Sequence, residues 1–156
     1  LAGCGPRDDG AAVAARDFDK SAPCDLDGMV LADYPGPKGQ IVYAGDDKVH
    51  WYCDTVELLA QLLKPEQVRP VRGAWVQDMG KADWEQPRGH WIAARDAFYV
   101  LGSKRRGSMG PTAATFADEA AAQAHIAQHG GKLLRFAQIT PDMTDLSGGA
   151  LHDSKM

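Results

Sequence analysis

The sequence lacks the signatures of most catalytic chemistries. It has no G-x-S-x-G, no C-x-x-C and no Gly-rich phosphate loop after a strand pattern. Its carboxylates are scattered, and none stands in an obvious sequence relation to a His or a nucleophile. It has no run of Lys or Arg long enough to build a phosphate track, and the formal net charge is -4. The densest basic spot, Ser103 to Gly107 (SKRRG), reads as a solvated turn, so no nucleic-acid partner is expected. No apolar run approaches the roughly 20 residues needed to span a bilayer. Cysteine is scarce, with three in 156 residues. At 44% hydrophobic and 24% charged, the composition is that of an ordinary globular domain. These absences favour a non-enzymatic protein.

What is present begins with the first four residues, LAGC. An apolar residue and two small ones before a cysteine read as the end of a bacterial lipoprotein signal, with Cys4 the acylated residue and the hydrophobic segment trimmed away. The polar, Ala-rich stretch that follows fits a flexible tether. The expected location is the periplasmic face of the bacterial envelope. Gly5 rather than Asp after the cysteine points to the outer membrane. Cys24 and Cys53 are then left over. In an oxidising compartment they are either a disulfide pair or thiols kept for a metal.

Between the tails, the order of elements is read twice. QIVYAG and KVHWYC form a hairpin across GDD. DTVELLAQLLK follows as a helix with Val56, Leu59, Ala60 and Leu63 on one face. Asp54 is its cap, Glu57 stands three residues on, and Pro65 stops it. VRGAWVQDM is the next strand. In the second half HWIAA and AFYVLGS are read as a strand pair or, because RD between them is a weak turn, as one bent strand. ADEAAAQAHIAQHGG is a helix with Ala120, Ala124 and Ala127 on one face, ended by Gly130 and Gly131, and KLLRFAQI is the closing strand. The expected fold class is α+β, with two small β-β-α-β units packed together because each is too small to stand alone. The expected divisions are a lipobox remnant and tether at 1–22, a first unit at 23–80, a second at 81–141 and a flexible tail at 142–156.

The chemistry-bearing candidates are soft donors. Met109 lies in RRGSMGPTA, between glycines that expose a thioether rather than bury it, and sulfur ligands select Cu(I) over harder ions. Cys24 and Met29 share a turn, with Pro23 before it and Gly28 inside it, on which a thiolate and a thioether can converge. The alternation of VHWYCDT puts Val49, Trp51 and Cys53 on one face. That apolar company reads Cys53 as a core thiol, although its place before a helix N-terminus could make it reactive. His125 and His129 are spaced i, i+4 on the second helix. Without the Glu of H-E-x-x-H they read as ordinary helix C-terminal imidazoles.

In order along the chain, CDLDGMVL, YPGPKGQI, WYCDTVELL, VQDMGKADW, HWIAARDAFYV, GSMGPTAATFADEAAA and HGGKLLRF resemble the NosL family of accessory lipoproteins, encoded with nitrous oxide reductase in denitrifying bacteria. The likeness runs from Cys24 to about Ile139, plus the lipobox. Many members carry C-x-x-C-G-M where this chain has Cys24-Asp25-Leu26-Asp27-Gly28-Met29, and Asp27 excludes a two-thiolate site within that motif. The resemblance implies a Cu(I)-binding protein that serves assembly of the reductase's copper centres. Its implied partners are the reductase apoprotein and other copper-handling envelope proteins. It also implies paired β-β-α-β units related to those of organomercurial lyase. The implied metal ligands are Cys24, Met109 and Met29, with a His as the alternative to Met29. A shared site requires the first segment to lie against the second unit's loop. Two other functions stay open: a lyase-like thiol enzyme using Cys24 and Cys53, and a structural envelope lipoprotein with a Cys24–Cys53 disulfide.

Overall fold

β1 (Gly39–Tyr43) is buried along its whole length, which requires cover on both of its faces. It pairs antiparallel with β2 (Val49–Tyr52), Gly39 opposite Tyr52 and Val42 opposite Val49, so the GDD hairpin forms as expected. After α1 (Thr55–Leu63) the chain returns as β3 (Val71–Gln77) on the other edge of β1, again antiparallel. A computed structural model provides these coordinates and describes residues 14–64, 69–108 and 110–144. Cys4, Pro65, Met109 and the chain beyond Thr144 lie outside the described residues.

The second half corrects the expected strand pair. β4 (Trp91–Ala93) and β5 (Phe98–Leu101) are joined by a tight turn but do not pair with each other. β4 adds to the first sheet, giving the order β2-β1-β3-β4. A two-residue ribbon follows, β6 (Arg106–Gly107) with β7 (Gly110–Pro111). β5 finds its partner in β8 (Ala114–Phe116), a stretch to which the sequence pattern assigns no element. After α2 (Glu119–His129), β9 (Lys132–Arg135) pairs with the other edge of β5. The second sheet therefore runs β8-β5-β9. In both units the first strand is central, the second and third flank it, and the helix joins second to third. The repeat is present, with β8 in the role first given to β5. Three-residue β8 was too short, and too close to Gly and Pro, to show a strand period.

One core unites the two halves. Ile41, Tyr52, Leu58 and Val76 of the first unit share it with Tyr99, Ala113 and Leu134 of the second. A second cluster covers the opposite face of the first sheet: Phe18, Ala22, Cys24, Leu31 and Cys53, with Trp51 and Trp91 edge-on to the Phe18 ring. The tether reading of residues 1–22 is thus corrected from residue 14 onward. The Arg16 backbone exchanges two hydrogen bonds with the Gln40 side chain, and Asp17 accepts from the Gly89 N–H and Trp91 Nε1. The tail reading is corrected at its start: Pro141–Thr144 form a 3-10 turn, Thr144 is buried, and Met143 packs on the main core.

On α1 the expected face is kept in Leu59, which is buried, and in Val56 and Leu63, which pack on the core, while Thr55, Glu57 and Leu58 are buried as well. The face of α2 differs from expectation. On α2 the buried pair is Ala122 and His125, while Ala120, Ala124 and Ala127 are exposed. An Ala-rich helix has little contrast between its faces, so spacing alone does not reveal which one is covered. The caps follow expectation. Asp54 accepts from the Val56 N–H, Asp118 from the Ala121 N–H, and Gly130 closes α2 at φ 76°. No described helix is long and apolar enough to cross a membrane.

Candidate metal site

The segment from Pro23 to Val30 is a closed turn, pinned at its base by antiparallel bridging of those two residues. The Cys24 N–H donates to the Met29 carbonyl at 2.7 Å, and the Gly28 N–H donates back to the Cys24 carbonyl at 2.9 Å. Gly28 sits at φ 76°, where a side chain would be strained. The Asp25 N–H donates to the Trp51 carbonyl, fastening the turn to β2. His50 on β2 meets Asp25 at 3.2 Å through Nδ1 and Asp46 at 3.1 Å through Nε2. The result aims Cys24 inward, leaving it only 3% exposed.

β2 delivers the second sulfur. Its alternation places Trp51 on the Phe18 side of the sheet and Tyr52 in the main core, as expected. Cys53, the next residue, is buried on the Phe18 side. There it meets Cys24, and both remain free thiols, so the disulfide alternative is not adopted. One oxygen of Glu57 lies 3.4 Å from the Cys24 sulfur and 3.3 Å from that of Cys53. The expected capping-box partner of Asp54 is instead turned toward the two sulfurs. Ligand atoms of Cys24, Asp27, Cys53 and Glu57 all lie within 4.8 Å of one another, and only Asp27 is exposed.

Electrostatics divide this cluster into unlike members. Cys24 is lowered to about 6, chiefly because the Cys53 thiol donates to its sulfur and favours the thiolate. Cys53 is raised, first by that same bond, since its proton is the one being shared, and then by burial. Burial raises Glu57 to about 7, helped by the neighbouring Cys24 charge. Burial likewise raises Asp54 to about 7, against the opposing bonds from Val56 and Thr112. Lys38, wholly buried beside them, is lowered to about 8 by desolvation, while the charges of Cys53, Asp54 and Glu57 work in the other direction. Its ammonium donates to the carbonyls of Pro35 at 3.0 Å and Cys53 at 3.1 Å. At neutral pH the pocket thus offers one thiolate, one thiol and a counter-cation.

The second unit's loop lies against the corner between β2 and α1 that carries Cys53. The Ser108 hydroxyl is 3.4 Å from the Cys53 sulfur and 3.4 Å from Asp54. Thr112 donates to Asp54 at 2.7 Å. Gly36 and Gly107 pack so closely that a β-carbon on Gly36 would stand 2.7 Å from the Gly107 Cα. Met109 follows Ser108 directly but is outside the described residues. Met29 packs, half-buried, against the cluster that contains both cysteines. The cluster around Cys24 contains no His nitrogen among the described residues. His125 is distant from it chemically and lies in the second unit, stacked on Trp84 at 5.5 Å and lowered to about 4 by burial.

Three members of this cluster, Asp27, Cys53 and Glu57, are not among the ligands expected from the sequence. Asp27 indeed removes a second thiol from the turn, yet Cys53 restores one from a strand. Its signal was present in its position just ahead of the α1 N-terminus. Glu57 was read as a capping residue because D-x-x-E is the pattern of a cap. Taken together, the sulfurs suit a soft monovalent ion, while the oxygens of Asp27 and Glu57 would be its weaker partners.

Comparison with known proteins agrees on one family. The family model for NosL matches residues 15–144. The chain is 37% identical over 159 aligned positions to a protein of Stutzerimonas stutzeri named copper-binding lipoprotein NosL, covering 98% of this chain and 83% of the relative. A protein of Achromobacter cycloclastes with the same name is 42% identical over 119 positions, covering 74% of this chain and 62% of the relative. Among solved structures, the crystal structure of the copper chaperone NosL from Shewanella denitrificans superposes with a TM-score of 0.79 at 40% identity, covering 83% of this chain and 97% of that one. The solution structure of apo-NosL from Achromobacter cycloclastes gives a TM-score of 0.51 at 40% identity, over 68% and 87% of the two chains.

Proposed function

The chain belongs to the NosL family, and from that premise we propose that it is a non-enzymatic Cu(I) carrier, lipid-anchored through Cys4 at the periplasmic face of the envelope, most naturally on the outer membrane. Its cargo is handed on for assembly of the copper centres of nitrous oxide reductase, with the reductase apoprotein and other copper-handling envelope proteins as partners. The observation that carries this reading is the placement of Cys24: buried on a pinned turn, with the Cys53 sulfur beside it and both sulfurs free. A soft sulfur donor so placed meets the first requirement of a Cu(I) site without oxidising chemistry.

Cys24 is the primary ligand in this proposal, with Met109 and Met29 supplying thioethers. Ser108 brings the chain immediately before Met109 to the Cys53 sulfur. Thioethers add no charge, so they retain the ion without opposing its release. The test is a competition titration of the reduced protein against a chromophoric Cu(I) chelator, with X-ray absorption to identify the neighbours. The expected result is one Cu(I) with sulfur neighbours, bound far more tightly than Zn(II), and loss of binding on the order of a hundredfold or more in Cys24→Ser, about 2.7 kcal/mol at that ratio. A first shell of nitrogen and oxygen alone would overturn the proposal.

One observation favours a second reading. Two thiols sharing a carboxyl that is raised to about 7 provide the parts for protonating a metal–carbon bond. The carrier reading expects no hydrocarbon release when the reduced protein is incubated with an alkylmercury compound. Catalytic release would favour the lyase-like reading instead.

A further inference from the structure

Resting on the Cu(I) reading above, we propose that Cys53 is itself a copper ligand, so that this chain holds its cargo between two thiolates contributed by a turn and a strand. Cys24 and Cys53 come from different elements, and each is fixed independently. The turn is closed by the Cys24–Met29 backbone bond and fastened to β2 through Asp25. Cys53 is fixed by the end of β2 and by Asp54, the cap of α1. Their sulfurs lie within 4.8 Å of each other and are unbonded. A pair held in this way needs little rearrangement to close on one ion, and two-coordinate sulfur satisfies Cu(I).

Burying two thiolates around a monovalent cation leaves one net negative charge in a poorly solvated pocket, which would be costly without compensation. The compensation is already built. The Lys38 side chain is fully buried, and its ammonium is held by the carbonyls of Pro35 and Cys53. The ammonium donates to the carbonyl of the ligand residue itself, so it stands where the charge of a two-thiolate complex would fall. Ser108 adds a hydroxyl 3.4 Å from the Cys53 sulfur, a donor suited to a thiolate. On binding, the copper–sulfur bond at Cys53 replaces its S–H bond and the proton leaves to solvent. No electron is transferred.

Three proteins decide the matter: the wild type, Cys53→Ala, and Met29→Leu combined with Met109→Leu. X-ray absorption of the Cu(I)-loaded wild type should count at least two sulfur neighbours, falling by one in Cys53→Ala. Cu(I) affinity in Cys53→Ala should fall on the order of a hundredfold, because the second sulfur acts as an intramolecular ligand at high effective concentration. The double Met variant keeps both thiols and alters only apolar side chains, so it reports even where Cys53→Ala folds poorly. It should still show two sulfurs. A drop to one sulfur in the double Met variant would overturn the proposal, as would unchanged affinity and sulfur count in Cys53→Ala, and both results leave a thiolate–thioether carrier standing. A wild type that binds no Cu(I) through sulfur overturns the carrier reading itself.

Discussion

The two β-β-α-β units share one skeleton and do very different things with the same position. In each, the second strand runs into an Asp that caps the helix: Tyr52-Cys53-Asp54 before α1, and Phe116-Ala117-Asp118 before α2. Three residues past the cap stands Glu57 in one unit and Ala121 in the other. The first junction is buried under the N-terminal segment and the β6–β7 ribbon, while Ala117 and Asp118 are exposed. The fold therefore supplies a strand-to-helix corner twice. Only where additional chain covers that corner does it become a pocket with shifted acidities. Burial, rather than the corner itself, makes the site.

Removing both caps is the strongest way to test that contrast. Asp118→Ala costs one exposed cap, about 1 kcal/mol. Asp54→Ala also removes the buried acceptor of the Thr112 hydroxyl and the Val56 N–H, leaving Thr112 only its longer contact with Thr55, so its expected cost is about 3 kcal/mol. Asp54→Asn keeps an acceptor oxygen and should recover most of the loss, since an acid raised to about 7 is not held by charge alone. Urea denaturation at constant m-value measures all three. Equal costs for the two alanine variants would dissolve the distinction between covered and open corners.

Two glycines sharpen the same point at smaller scale. Gly36 at φ 89° faces Gly107 across the seam between the units, and Gly28 at φ 76° has open space around its missing β-carbon. Gly28→Ala should cost only its left-handed strain, roughly 1 kcal/mol. Gly36→Ala should cost about 2 kcal/mol, because strain is joined by a backbone clash that neither side can relieve by a rotamer change. Because that clash pushes on the ribbon bearing Ser108, Gly36→Ala should also weaken Cu(I) binding, whereas its stability loss alone would not. Thermal midpoints and the chelator titration read the two effects separately.

Much of the first unit was legible because its signals are local. The β1–β2 hairpin, the Asp54 cap and the Cys24–Met29 turn each depend on residues within a few positions of one another. What was missed depends on distance in the chain. Phe18 reads as part of a polar tether until Trp51 and Trp91 arrive to pack around it. The pairing of β4 with β3 rather than β5 is a choice between partners that a turn cannot encode. Glu57 fits a capping box perfectly well in sequence, and only the arrival of Cys24 beside Cys53 gives its carboxyl other partners. The Ala stripe of α2 failed for the opposite reason, since alanines and polar residues are mixed around that helix and no face stands out. Local spacing marks Cys24 and Met29 on their turn, whereas only the fold brings Cys53 and Lys38 to it.

The smallest expected effect lies in the open unit and concerns pH. His125 is buried against Trp84 and Phe116, with His129 and Arg105 close by, and these surroundings hold it down to about 4. Its folded-state value is thus below the ordinary one of about 6.5. Above pH 6.5 both folded and unfolded chains carry a neutral ring, and its packing contributes in full. Between 6.5 and 4 the unfolded chain takes up a proton that the folded chain refuses, so stability falls as pH falls; below 4 the loss is complete. Glu57 and Asp54, raised to about 7, act in the opposite sense over this range, because the folded chain binds their protons first. The whole-protein profile is therefore a sum of the two units, and His125→Phe separates them. Phe keeps the ring contacts but loses the proton and the 3.3 Å contact with the Ser103 hydroxyl. Subtracting the variant's urea-midpoint profile from that of the wild type should leave a fall confined to the window between 6.5 and 4. Parallel profiles would mean that this histidine does not set the acid response of the second unit.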